Sequence, residues 1–138
     1  MNPMKKSVLF ICTHNAARSQ MAEAILNKLY EDRYTAFSAG TDPTQIDPLV
    51  VLVMREIGVD VSNCQSKGLS LFNDSTIDYV ITLCDQAKES CPYFPGGIEH
   101  LHKSFSDPSD LKGKTEDVTN GYRRIRDEIK DWIEKEFC

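Results

Sequence analysis

Residues 6 to 12, KSVLFIC, carry an unbroken apolar run from Val8 to Cys12. A strand with one wet face alternates polar and apolar residues. A run without alternation needs cover on both faces. The next segment narrows the choice. Beyond a short loop, Met21, Ala22, Ile25, Leu26 and Leu29 fall at helical spacing, which predicts an amphipathic helix over 18–31. A doubly buried strand feeding a helix is the opening unit of a parallel α/β sheet.

The rest of the chain repeats that unit. YTAFSAG (34–40) predicts a second strand, ended by Gly40. Asp47 followed by Pro48 is a cap and a first-turn proline, so a second helix should run to about Ile57, closed by Gly58. IDYVITLC (77–84) predicts a third strand and GIEHLHKSF (97–105) a weaker fourth. From about Thr115 to Phe137 a long helix places Tyr122, Ile125, Ile129, Trp132 and Ile133 on one face. There is no linker, internal repeat or low-complexity tract. Residues 1–138 therefore read as a single doubly wound α/β domain, a four-stranded parallel sheet with helices on both faces. Such sheets bind ligands at the carboxyl ends of their strands, where the strand order reverses. The predicted first and third strands end at Cys12 and Cys84, both at that edge.

Composition excludes several classes. The net charge of −5 argues against general nucleic-acid binding, although a local site can still attract an anion. The apolar stretches are far shorter than a membrane span, and the run after MNPMKK is too short for a signal peptide, so a cytoplasmic location is expected. The cysteines number five, Cys12, Cys64, Cys84, Cys91 and Cys138. An odd count in an intracellular chain points away from a disulfide framework and towards catalytic or redox roles. No pair has C-x-x-C spacing, and no metal is expected. His100 and His102 share one face of a strand but are too few to hold an ion, so they are assigned surface or packing roles. Cys64 reads as a partly buried loop residue and Cys138 as a frayed end.

The loop itself, C-T-H-N-A-A-R-S, has the spacing C-x5-R-S. A loop leading into a helix N-terminus can aim backbone N–H groups at one point, and the helix dipole adds to their attraction for an anion. The same field favours a thiolate at Cys12. Arg18 supplies a planar fork for two oxygens of a tetrahedral oxyanion. Ser19 can donate to the Cys12 sulfur, and Asn15 can fix an irregular backbone. Thr13, His14, Asn15, Ala16, Ala17, Arg18 and Ser19 are thus the expected oxyanion loop, with Cys12 as nucleophile. The plainer alternative is a buried strand-end cysteine beside a solvated arginine; the strong strand before it and strong helix after it weigh against that. A phosphoester-cleaving cysteine also needs a proton donor. FSDPSD offers Asp107, held extended by Pro108, with Asp110 as its competitor; on local sequence alone a plain turn residue is the simpler reading.

Taken together, VLFICTHNAARSQMAEA, FSAGT, ITLCDQAKESCP and FSDPSD resemble the arsenate reductases that share the low-molecular-weight protein tyrosine phosphatase fold, in the same order along nearly the whole chain. The cysteine pair Cys84 and Cys91 resembles the thioredoxin-coupled branch. The resemblance implies a relay. Cys12 attacks arsenate while Asp107 protonates the departing oxygen, Cys84 attacks the Cys12 sulfur as arsenite leaves, and Cys91 then frees Cys12. A Cys84–Cys91 disulfide results. Its implied reductant is thioredoxin, supplied ultimately by NADPH through thioredoxin reductase. No bound cofactor is implied, and a monomer with weak side phosphatase activity is expected.

Geometry adds a constraint. In a helix, residues 84 and 91 would have Cα atoms about 10 Å apart, whereas a disulfide needs roughly 4.4–6.8 Å. The segment must therefore loop or unwind, and 84–91 is expected to be mobile. There are also departures from the relatives. Ala17 stands where many have a cysteine, and His14 where a glycine is common. Some relatives bind potassium beside the loop through a carboxylate at the position of Lys67, so an ammonium replacing the ion, with no potassium dependence, is expected here. The rival function is a protein tyrosine phosphatase using Cys12, Arg18 and Asp107. Such enzymes hold a tyrosine ring between aromatic side chains. Ser109 after Asp107-Pro108, GTDPTQ after the second strand, and Trp132 far away in the last helix offer no such slot.

Overall fold

The computed structural model describes residues 5–73, 75–84, 94 and 96–137. In chain order the elements are β1 (Lys6–Cys12), α1 (Arg18–Tyr30), β2 (Tyr34–Gly40), α2 (Pro48–Glu56), β3 (Ile77–Thr82), β4 (Gly97–His102) and α3 (Thr115–Phe137), with short 3-10 helices at Leu69–Phe72 and Pro108–Asp110. The four strands are all parallel, in the order β2-β1-β3-β4. The chain steps out from β1 to β2 and returns past β1 to β3, so the order reverses at the carboxyl ends of β1 and β3.

β1 is central, which explains its unbroken apolar run. Val8 and Phe10 face a core shared by α1, α2 and α3, while Leu9 and Ile11 face a second cluster with Ile77, Val80 and Phe94. Leu69 and Phe72 of the first 3-10 helix pack on that second cluster. Helical cover therefore reaches both faces, with α-helices on one and, among the described residues, a 3-10 helix on the other. In α3 the buried residues Tyr122, Ile125, Ile129, Ile133 and Phe137 repeat at helical spacing. Trp132 stays partly buried and packs edge-on against Phe10 and Phe105.

Two expected strands are shorter than their sequences suggest. β3 stops at Thr82 rather than at Cys84, and β4 at His102 rather than at Phe105. Hydrogen bonds nevertheless continue past both ends, from Leu83 N to Ile11 O at 2.8 Å and from Phe105 N to Leu83 O at 3.2 Å. The apolar pattern persists because these residues stay buried after the ladder has ended. The segment expected to be mobile, 84–91, lies outside the described residues beyond Cys84.

α2 carries both of its expected signals. Asp47 Oδ1 accepts from Leu49 N at 2.9 Å. At the other end Gly58 takes φ +78°, Gly58 N bonds Arg55 O and Val59 N bonds Met54 O, a Schellman closure. α2 is then fastened to α3. Arg123 grips Glu56 with two nitrogens, at 2.9 and 2.7 Å, and Arg126 Nη1 bonds the same carboxylate at 2.8 Å and the Val53 carbonyl at 2.9 Å. The Arg123 hydrogen bonds, opposed by desolvation and helped by Arg126, bring the Glu56 carboxyl down to about 2. A lowered carboxyl adds stability above its unfolded value and loses it as pH falls through the folded one. Glu56→Gln should therefore lower Tm at neutral pH, and the deficit should fade between pH 4.5 and about 2. Parallel melting curves of both proteins across that range check this; a deficit that does not change with pH would contradict it.

Candidate active site

Cys12 ends β1 opposite Gly40, the last residue of β2. Between Cys12 and Arg18 the chain turns on Asn15, the one non-glycine residue with positive φ (52°) among the described residues. Asparagine tolerates this left-handed backbone better than most residues.

The loop carbonyls are all engaged on its outer side. Asp42 N donates to Thr13 O at 2.8 Å, Thr44 N to His14 O at 3.2 Å and Asp47 N to Ala16 O at 3.1 Å. Ser66 Oγ donates to Asn15 O at 2.9 Å. In a trans peptide the N–H points opposite to the preceding C=O. Outward carbonyls at 13–16 therefore turn the N–H groups of His14, Asn15, Ala16 and Ala17 inward. α1 follows directly, and its N-cap, Ala17, makes no side-chain cap. Its first-turn N–H groups add to the concave donor set.

Inside this cradle lies a directed chain of buried hydrogen bonds. Gln20 Nε2 and Lys67 N donate to Asn15 Oδ1 at 2.9 and 2.8 Å. Asn15 Nδ2 donates to Ser19 Oγ at 2.7 Å, and Ser19 Oγ lies 2.8 Å from Cys12 Sγ. Because the Ser19 oxygen already accepts from Asn15, its own proton is available to the sulfur. Asn15 thus fixes more than the backbone. It sets which way the serine points.

Arg18 is buried, with Nη1 3.3 Å from Phe105 O and Nη2 3.5 Å from Asp107 Oδ2. Asp107 and Arg18 line a cleft of about 280 Å³ with Cys12, His14, Ala16 and Asp47. Asp110 is not among its lining residues and donates its N–H to Asp107 O. The other wall is Thr44–Pro48, and among the described residues no Phe, Tyr or Trp lines the cleft. His14 Nδ1 is held at 3.1 Å from Asp42 O. Cys12 is a free thiol, whereas Cys84, buried two residues past β3, is disulfide-bonded. Cys91 and Cys138 both lie outside them.

Lys67 sits beside the loop, donating to Gln65 O at 3.0 Å with Glu23 Oε1 3.9 Å away. Burial pushes the Glu23 carboxyl up, and Lys67 partly offsets this. These residues do not suit a resident cation, because an ammonium already stands among the oxygens. No group of three or more His, Cys, Asp or Glu residues that could hold a metal occurs among the described residues. Cys64 is free and partly exposed, and burial pushes its thiol up. No helix among the described residues is long and apolar enough to cross a membrane.

Sequence reasoning missed the outer ring of this site: Gly40, Asp42, Thr44, Gln20 and Ser66. Only Gly40 left a signal, a glycine closing a strand beside the motif. A Cβ there would lie 2.5 Å from Thr13 O and 2.8 Å from Asn15 N.

The family model described as low molecular weight phosphotyrosine protein phosphatase matches residues 7–137. This chain belongs to that family. Its relatives include the arsenate reductase of Bacillus subtilis, 36% identical over 133 residues that cover 96% of this chain and 95% of that one. A solved arsenate reductase in its phosphate binding state superimposes with a TM-score of 0.79, at 28% identity, over 94% of this chain and 95% of the other. The thioredoxin-dependent arsenate reductase of Corynebacterium glutamicum gives a TM-score of 0.68 at 30% identity, covering 98% of this chain and 63% of that one. The family resemblance and fold expected from the motifs are thereby borne out.

Gly40→Ala must push the loop backbone aside, since the nearest atoms are main chain. A displacement of this kind near reacting groups can lower turnover about 100-fold. Aryl-phosphate hydrolysis by Gly40→Ala should fall by that order, whereas Gly58→Ala, which strains a remote helix end at φ +78°, should lower Tm and leave hydrolysis within a few-fold. Equal hydrolysis by Gly40→Ala and the unsubstituted protein would refute the close-approach argument.

Proposed function

We propose that this chain is a cytoplasmic, single-domain, monomeric arsenate reductase that detoxifies arsenate by a thiol relay. The observation that carries the reading is the pairing of a free Cys12 in an anion cradle with a disulfide-bonded Cys84 just past the neighbouring strand. A phosphatase needs the first and has no use for the second. The relatives that are arsenate reductases, one of them thioredoxin-dependent, support the same choice.

In this reading the inward N–H groups and Arg18 bind arsenate, and the Ser19 hydroxyl donates to the Cys12 sulfur. Cys12 attacks arsenic, and Asp107 protonates the departing oxygen, which leaves as water. Cys84 thiolate then attacks Cys12 Sγ. The S–As bond breaks, its electron pair stays on arsenic, and arsenate has become arsenite. Cys91 thiolate attacks Cys84 Sγ and releases Cys12. Two thiols have lost the two electrons that arsenic gained. Thioredoxin returns them to the Cys84–Cys91 disulfide and draws them in turn from NADPH through its reductase. The cradle holds phosphate as well as arsenate, so weak phosphatase activity accompanies the main reaction. Among the described residues the cleft has no aromatic wall, which disfavours a phosphotyrosine ring and favours a small inorganic anion.

The deciding assay is arsenate-dependent NADPH oxidation with thioredoxin and thioredoxin reductase. Cys84→Ser and Cys91→Ser should abolish it while aryl-phosphate hydrolysis survives. Robust hydrolysis without arsenate reduction in the unsubstituted protein would instead make the chain a phosphatase. A second expectation concerns Lys67, which we assign the place of a cation. Melting in potassium and in sodium chloride of equal ionic strength should coincide within about 1 °C, a small shift on the scale that one kcal/mol produces. A clear rise in potassium would overturn that assignment.

A further inference from the structure

Beyond the first site, a second directed hydrogen-bond chain ends on the backbone of Cys84. Thr82 Oγ1 lies 2.7 Å from His102 Nδ1, His102 Nε2 lies 3.1 Å from Ser104 Oγ, and Ser104 Oγ donates to the Cys84 carbonyl at 3.1 Å. The protons can be assigned. Ser104 has one hydroxyl proton, and it goes to Cys84 O. Its oxygen must therefore accept from His102 Nε2–H, which leaves Nδ1 of the neutral ring to accept from the Thr82 hydroxyl. Protonation of the ring would reverse only the Thr82 link, since Nε2 carries a proton in both forms. Thr82 and His102 are register partners on β3 and β4, so the sheet itself sets the anchor.

This anchor lies where the sheet no longer holds the chain. β3 ends at Thr82, and two backbone bonds continue the tie, Lys103 N to Thr82 O at 2.9 Å and Phe105 N to Leu83 O at 3.2 Å. At Cys84 the partner in the same series is a side chain, Ser104. The carbonyl it holds belongs to the peptide leading out of Cys84 into residue 85.

We infer that Ser104, oriented by His102, is a positioning residue for Cys84. It fixes the peptide from which the Cys84 sulfur must reach Cys12 and then its own disulfide partner. The inference rests on the thiol-relay reading above. The step it serves forms the Cys12–Cys84 bond and breaks the Cys12–As bond, with the electron pair passing to arsenic. Loss of the Ser104 bond loosens this peptide and lets the sulfur sample unproductive positions, which slows attack without touching the cradle. The same peptide also sets the geometry of the Cys84 disulfide, so its midpoint potential should move too.

The test uses the full chain with Ser104→Ala, Ser104→Thr and His102→Ala. Three quantities are read. These are loss of thiols on mixing reduced protein with arsenate without thioredoxin, the midpoint potential of the Cys84 disulfide in dithiothreitol redox buffers, and aryl-phosphate hydrolysis. Ser104→Ala should slow thiol loss about tenfold or more, on the scale that misplacement of a reacting group produces, and shift the potential. Its hydrolysis should stay within twofold. Ser104→Thr, which keeps the hydroxyl, should restore thiol loss, and His102→Ala should fall between. Unchanged thiol loss and potential in Ser104→Ala overturn the inference. Equal loss of hydrolysis and thiol oxidation also overturns it, because the residue would then act on the fold. If the unsubstituted protein loses no thiols to arsenate, the relay reading has failed, and the potential alone then decides whether Ser104 positions Cys84.

Discussion

Peptide planarity turns the N–H groups of this loop to one side, the arrangement an anion site requires. Each loop carbonyl from Thr13 to Ala16 is held by a donor outside the loop, and a planar trans unit then has no choice about where its N–H points. The donors come from the 42–47 segment and from Ser66, far away in sequence. The cradle is thus imposed by its surroundings rather than formed by the loop alone. Gly40 is part of this constraint, since only a residue without Cβ lets β2 end against the backbone of Thr13 and Asn15. Asp47 extends it. Its N–H holds Ala16 O, one carboxylate oxygen caps α2, and the other accepts from the Tyr122 hydroxyl of α3.

The buried polar chain behind the loop has a direction because its members differ in what they can donate. Gln20 turns its amide nitrogen towards two acceptors, Asn15 Oδ1 and Gln65 O, and leaves its own oxygen buried without a hydrogen bond. One unsatisfied acceptor costs about 1–3 kcal/mol, yet reversing the amide would lose both donated bonds and place oxygen against oxygen. The observed orientation is the cheaper one. It forces Asn15 to present Oδ1 to Gln20 and Nδ2 to Ser19, and so leaves the Ser19 proton for Cys12. A nucleophile's hydrogen bond is decided two residues back along the network.

The parts legible in the sequence are those written in local patterns. β1, α1, the Asp47 cap, the Gly58 closure, and Cys12, Arg18 and Ser19 follow from periodicity and spacing within a few residues. The ends of β3 and β4 are less legible, because Leu83 and Phe105 remain buried and bonded after the ladder stops, and an apolar pattern reports burial rather than pairing. Apart from Gly40, the outer ring is not legible. Ser66 holding Asn15, or His102 and Ser104 holding Cys84, are partnerships between segments far apart in the chain or between side chain and backbone, and no period marks them. Two histidines on a strand are too few for a metal, but His102 has a role that needs only one ring.

The segment from Lys103 to Asp107 joins the two halves of the site. Phe105 O accepts from Arg18, Phe105 N holds Leu83 beside Cys84, and its ring packs edge-on against Trp132 of α3. Two residues on, Asp107 meets Arg18 at 3.5 Å. A movement of this segment would therefore disturb Arg18, Asp107 and the chain beside Cys84 together, and its anchorage to α3 opposes such movement. Oxyanion binding at Cys12 asks only for the cradle, Arg18 and Asp107. Reduction asks in addition that a second sulfur stand at the neighbouring strand end. A fold whose order reverses between β1 and β3 places that strand end next to the nucleophile by topology alone.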